Sequence, residues 1–135
     1  MKIFIICSKV FYELIPDILH QLEKAGHKIT LPNHYETPWS ENLVRGTKDH
    51  AEWKAELIRL SETKIKEIDC VLVLNYNKSV QLKNYIGGCT FLEMYDAFRM
   101  GKKIYMMNDI PEGLLKDEII GFSPIILNGD LSKIE

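Results

Sequence analysis

Cys70-Val71-Leu72-Val73-Leu74 is an uninterrupted apolar run only five residues long. A strand with one wet face alternates apolar and polar residues, so an unbroken short run describes a strand covered on both faces. Ile3-Phe4-Ile5-Ile6-Cys7 has the same character, and Lys28–Leu31, Ile104–Met107 and Pro124–Leu127 are shorter versions of it. Between these runs the apolar residues fall at helical spacing. Phe11, Leu14, Ile15, Ile18, Leu19 and Leu22 form one stripe, closed by Gly26, and Trp53, Leu57, Leu60, Ile65 and Ile68 form another. Strands that alternate with helices join through right-handed crossovers into a parallel sheet. The expected fold is therefore a flavodoxin/Rossmann-like three-layer α/β/α domain over residues 1–135, with a mainly parallel five-stranded sheet. No internal repeat, low-complexity tract or linker interrupts it.

Local signals set the expected boundaries. Pro16 belongs in a first helical turn, which starts the first helix near Glu13. Asn33 to Gly46 is aperiodic and reads as a loop longer than most connectors. Thr47 is placed to cap the long helix that follows. Thr90 to Met100 makes a helix closed by Gly101, and Glu112 to Ile120 a short one.

In such a sheet ligands bind outside the carboxyl ends of the strands. The loops at that edge are Ser8-Lys9, Asn33-His34-Tyr35, Asn75 to Cys89, and Asn108-Asp109. Asp69 precedes its strand, lies at the opposite edge, and reads as a turn or capping group. The third loop ends in Gly87-Gly88, and Glu93 follows in the first turn of the next helix. Paired glycines let a backbone approach a ligand closely, and a helix N-terminus favours anions. Two readings of Glu93 stand side by side. Thr90-x-x-Glu93 fits a capping box, in which the carboxylate folds back on its own helix. Alternatively the carboxylate faces a pocket, kept ionised by the helix dipole as a nucleophile requires. Ser8 and Thr90 could hold a phosphate or hydroxyl, His34 could stack on a base, and Asn75, Asn108 or Asp109 could orient a sugar. Ser8-Lys9-Val10-Phe11 lacks the glycines of a dinucleotide fingerprint or P-loop, and Val10-Phe11 argues against the hydroxyl-rich loop that binds FMN.

The remaining composition narrows the function classes. Hydrophobic residues make up 46% and charged residues 27%, an ordinary globular balance. A net charge of -2 gives no pull towards nucleic acid polymers or anionic lipid. No apolar run approaches the ~20 residues that span a bilayer. The first residues enter a strand directly without a signal-peptide pattern, and the three cysteines have no framework spacing, so a cytoplasmic protein is expected. Cys7 and Cys70 read as small buried hydrophobes, and no histidine or cysteine cluster has metal-ligand spacing.

Several segments together resemble the nucleoside 2-deoxyribosyltransferase-like superfamily. They are Lys2 to Ser8, Leu22 to Pro32, Ile68 to Asn75, and most sharply Gly88-Cys89-Thr90-Phe91-Leu92-Glu93 followed by Met100-Gly101-Lys102-Lys103-Ile104. Those enzymes carry a small-residue turn, a helix with a nucleophilic glutamate, and a Gly-Lys before the next strand. The resemblance reaches to about Met107, and Asn128-Gly129-Asp130-Leu131 looks like a tail of a small subgroup. It implies attack by Glu93 on the anomeric carbon of a (deoxy)nucleoside or its 5'-monophosphate, with release of the base to water or to a second base. Gly87, Gly88 and Ser8 would cradle the 5' end, no metal or redox cofactor is required, and a homodimer or larger assembly is implied. Three positions depart from the family pattern. Gly87 stands where an aspartate often precedes the nucleophile, Ser61 and Glu62 stand near the place of a second acid, and Ile5-Ile6 replace an aromatic hydroxyl. Glu62 is the one acid available to substitute. The alternative function is a nucleotide-sensing module of the same fold that turns nothing over.

Overall fold

The computed structural model describes residues 1–135. Five strands, β1 (Lys2–Ile6), β2 (Lys28–Thr30), β3 (Cys70–Val73), β4 (Lys103–Met106) and β5 (Ile125–Ile126), form one sheet in the order β2-β1-β3-β4-β5. Every neighbouring pair is parallel. The helices are α1 (Ile15–Lys24), α2 (Ser40–Val44), α3 (His50–Lys66), α4 (Gly88–Arg99) and α5 (Lys116–Gly121). This is the α/β architecture that the alternation of runs and stripes predicts. No helix is long and apolar enough to cross a membrane.

Side chains alternate across a strand, so each apolar run supplies both faces of the sheet. Ile3, Ile5, Cys70, Leu72 and Leu74 point to one side and pack with Phe11, Ile15, Ile18 and Leu22 from the α1 side. Phe4, Ile6, Val71, Val73, Ile104 and Met106 point to the other and meet Ile65 of α3, Met94 and Ala97 of α4, and Ile119 of α5. Full burial of one such side chain contributes about 1.5–3 kcal/mol, which is why β1, β3 and β4 tolerate no polar residue at their centres.

The boundaries shift where local chemistry wins. A 3-10 turn over Lys9–Leu14 precedes α1, which begins at Ile15 rather than near Glu13, with Pro16 still in its first turn. Thr47 does not cap α3. Its hydroxyl accepts from Asp49 N and donates to Val44 O, closing a turn before the helix starts at His50. The long loop contains the short helix α2. Gly113, at φ +125°, holds a backbone that no helix continues, so α5 begins after it and not at Glu112. Leu60 is 45% exposed, and Ser61, at 2%, takes the buried place on α3. Asp69 accepts a hydrogen bond from Lys2 N at the amino edge, as expected of a turn group.

The strand order reverses between β1 and β3. The chain leaves β1 towards β2 on one side and β3 towards β4 on the other, and such a switch point opens a crevice at the carboxyl edge.

Candidate active site

The crevice is a cavity of about 300 Å³, at the small end of the range for ligand pockets. Its floor is the end of β1, with Cys7, Ser8 and Tyr12, and its far wall is the start of α4, from Gly87 to Thr90 and on to Glu93. Trp53, Lys54 and Leu57 of α3 form a third side, and the segment from Pro32 to Arg45 arches over the opening.

Gly87 is the N-cap of α4, with extended backbone (φ -81°, ψ 172°), and Gly88 is its first residue. Neither needs to be glycine for its dihedrals. A Cβ on Gly88 would touch nothing within 4 Å, so the space in front of it belongs to the cavity and not to the protein.

Glu93 lies in the second turn of α4, not the first, because the helix starts at Gly88. Thr90 is therefore already helical and buried, and no side chain caps α4. The capping box does not form. The Glu93 carboxylate crosses instead to α3, where Oε2 accepts from Ser61 Oγ at 2.8 Å. Oε1 makes no hydrogen bond, yet it is not among the sealed polar atoms that lack a partner. Glu93 lines both this cavity and a small hollow between α3 and α4 that Ser61 and Asp96 share.

Burial pushes the Glu93 carboxyl up to about 7, against the Ser61 hydrogen bond and the Lys64 charge, which favour the anion. Desolvation therefore opposes the ionisation that a helix dipole was expected to favour, and the dipole effect itself fades beyond the first turn. Burial, with Glu93 close by, likewise pushes the Cys7 thiol up to about 12.

The arch is strapped to α3 through one carboxylate. Glu41 pairs with Lys54 at 2.7 Å, with His50 at 2.8 Å and with Arg45 at 3.3 Å. Burial alone would raise its carboxyl, but the hydrogen bonds from Lys54 and His50 and the charges of Lys54 and Arg45 hold it down to about 2. Lys54 Nζ also donates to Cys89 Sγ at 3.4 Å, beside the start of α4. Inside the arch, His34 stacks on Trp53 with ring centres 4.9 Å apart. His34 adopts φ 59°, a left-handed conformation uncommon outside glycine.

The structure brings together Ser8, His34, Gly87, Gly88, Thr90 and Glu93 around one cavity. It does not bring Asn75, Asn108 or Asp109 there. Asn75 is fully buried, donates to Asn108 O (3.0 Å) and Asp109 O (2.9 Å), and accepts from Asn108 N (2.9 Å). Asn108 returns a bond to Asn75 O at 3.0 Å, so the pair clasps the ends of β3 and β4. Asp109 borders a different hollow, beyond Tyr85 and Ile86. Glu62 does not replace the second acid either; it pairs with Lys66 at 3.6 Å on the outer face of α3. Asn33, in one of the carboxyl-edge loops but given no role there, completes the site with Ser61, Lys54, Trp53 and Glu41, which lie outside those loops. Ser61 alone left a local trace, a small hydroxyl four residues after Leu57 and four before Ile65 in an apolar stripe.

No protein-family model and no curated protein matches the chain. Among solved structures it is similar to the Clostridium botulinum CMP N-glycosidase BcmB. The TM-score is 0.54 with 18% sequence identity, across 93% of this chain and 85% of that one. At that identity the likeness establishes a shared α/β fold.

Proposed function

We propose that this protein cleaves the N-glycosidic bond of a nucleotide, as a member of the nucleoside 2-deoxyribosyltransferase-like superfamily, with Glu93 as the nucleophile. The observation that carries the reading is the Glu93 carboxylate at the cavity wall, with Oε2 held by Ser61 and Oε1 free of any hydrogen bond. Oε1 attacks the anomeric carbon, the carbon–nitrogen bond breaks, and the base leaves with the electron pair and takes a proton from solvent. Water then attacks the same carbon, releases the sugar phosphate and restores the carboxylate, with net retention. A second base in place of water makes the reaction a transfer. Lys9, Arg45 and Lys54 give the cavity a positive wall suited to a 5'-phosphate, with Ser8 and the first amides of α4 nearby. The stacked His34–Trp53 pair and Tyr12 supply flat surfaces for base and sugar. Similarity in fold to a CMP N-glycosidase adds support.

One observation favours a second reading, a nucleotide sensor. Glu41 is the other carboxylate lining the cavity, and held at about 2 it carries no proton to give a leaving base at neutral pH. Incubation with a panel of nucleosides and 5'-monophosphates, followed by chromatography for free base, separates the two. Base release that vanishes in Glu93→Gln supports the enzyme, whereas tight binding without release supports the sensor. A homodimer is part of the reading, and sedimentation of the purified chain tests it.

A further inference from the structure

Glu93 is held through a chain of two hydrogen bonds that joins three distant segments. Asn33, just beyond β2, donates from Nδ2 to Ser61 Oγ at 2.7 Å, and Ser61 donates to Glu93 Oε2 at 2.8 Å. Asn33 is 8% exposed and Ser61 2%, so water does not compete for either bond. A hydroxyl has one proton to give. With the amide donating to the serine oxygen, that proton is directed at the carboxylate. Asn33 Oδ1 is buried with no partner of its own, so the bond to Ser61 is the one hydrogen bond its side chain makes.

We propose that Asn33 and Ser61 are positioning residues for Glu93, fixing the direction of this chain so that Oε2 is locked as an acceptor and Oε1 alone is free to attack. The inference rests on the nucleophile reading above and adds to it the device that readies the carboxylate. The charged neighbours of Glu93 do not supply this direction. Lys64, from α3, favours the anion, but its Nζ is bonded to Leu31 O, while Asp96, one turn on in α4, opposes ionisation. Cys7 and Tyr12, at the end of β1, are both raised by burial and stay neutral across the relevant range. Lys54 and Glu41, across the cavity, are paired with each other.

The test is the pH profile of base release by the full chain and by Ser61→Ala, Asn33→Ala and Asn33→Asp. A lost hydrogen bond to a charged group moves the acid limb of kcat upward by about one unit or more. Below that limb, kcat of Ser61→Ala falls about 10-fold or more, and it recovers to within a few-fold at pH 9 with KM little changed. Asn33→Asp shifts the limb further than Asn33→Ala, because its carboxylate accepts the serine proton and adds a like charge. Loss that is uniform across pH, or an unmoved limb, overturns the proposal. If the wild-type protein releases no base, the nucleophile reading fails by itself. The chain is then read directly from carboxyl carbon-13 titration of Glu93 by NMR. A Glu93 midpoint higher in Ser61→Ala than in wild type upholds it, and equal midpoints overturn it.

Discussion

Replacing Glu93 with glutamine should stabilise the protein in mild base and leave it nearly unchanged in acid. The Glu93 carboxyl is raised from 4.5 to about 7, chiefly by burial. A folded-state value above the unfolded one means that the native state holds a proton over a range where the unfolded chain has released it. Stability from this group is therefore complete below about 4.5 and is lost as pH rises through about 7. At about 1.4 kcal/mol per unit, the ionised carboxylate costs the native state about 3 kcal/mol at pH 8 and a few tenths at pH 4. Glutamine has the same shape, its carbonyl can accept from Ser61, and it never ionises. Any cost of the amide that does not depend on pH cancels when the wild-type and variant difference is compared between the two pH values. Urea unfolding at pH 4 and pH 8 reads that comparison. With a slope of about 2 kcal/mol/M, the variant should gain about 1.5 M in midpoint, relative to wild type, on going from pH 4 to pH 8. A difference that stays constant within about 0.5 kcal/mol would mean that the carboxyl titrates as a solvated one, and the buried-nucleophile geometry would be refuted.

The same titration governs rate. Base release should climb about 10-fold per pH unit below about 7 and level off above it, and a profile that falls over this range rules out ionised Glu93 as the nucleophile. On the proposed reading Lys54 lends charge to the substrate phosphate, so Lys54→Ala should raise KM for a 5'-monophosphate by about 10-fold or more and hardly alter KM for the matching nucleoside; steady-state kinetics on the two substrates checks this. Asn75→Ala removes three hydrogen bonds made by a fully buried side chain and leaves Asn108 N without its acceptor. It should cost about 2–4 kcal/mol in urea unfolding while kcat of the folded enzyme stays within a few-fold.

The sheet was legible because its information is local. Each short apolar run states that both faces are covered, and the stripes between runs state where crossovers lie, so strand number and parallelism follow from few rules, while the strand order came only from the structure. Boundaries were harder where a single residue decides them. At α4, Gly87 takes an extended conformation and lets Gly88 open the helix two residues before Thr90, which converts an apparent capping box into mid-helix residues. The sequence pattern is identical in both cases; only the starting residue differs, and with it the direction in which Glu93 points.

The site divides along a similar line. Carboxyl-edge logic selected Ser8, His34, Gly87, Gly88, Thr90 and Glu93 with Asn75, Asn108 and Asp109, but an edge is a line and the cavity occupies one stretch of it. The crevice opens between β1 and β3, whereas the Asn75–Asn108 clasp closes the gap between β3 and β4, so equally polar loop residues serve opposite ends. What no loop-based reading can supply is the partner of Glu93. Asn33 and Ser61 stand 60 and 32 positions away, and they meet Glu93 only because β2 and α3 converge on α4 above the sheet. Position 61 is therefore informative in itself. A carboxylate near position 61 would repel Glu93 and raise it further, whereas a serine donates to it. That exchange favours an ionised nucleophile at the expense of a proton donor for the leaving base, and it predicts a preference for substrates whose base departs without strong acid assistance. Comparing base release from nucleotides with better and poorer leaving bases at a fixed pH tests that step, since equal rates would place the proton donor elsewhere in the cavity.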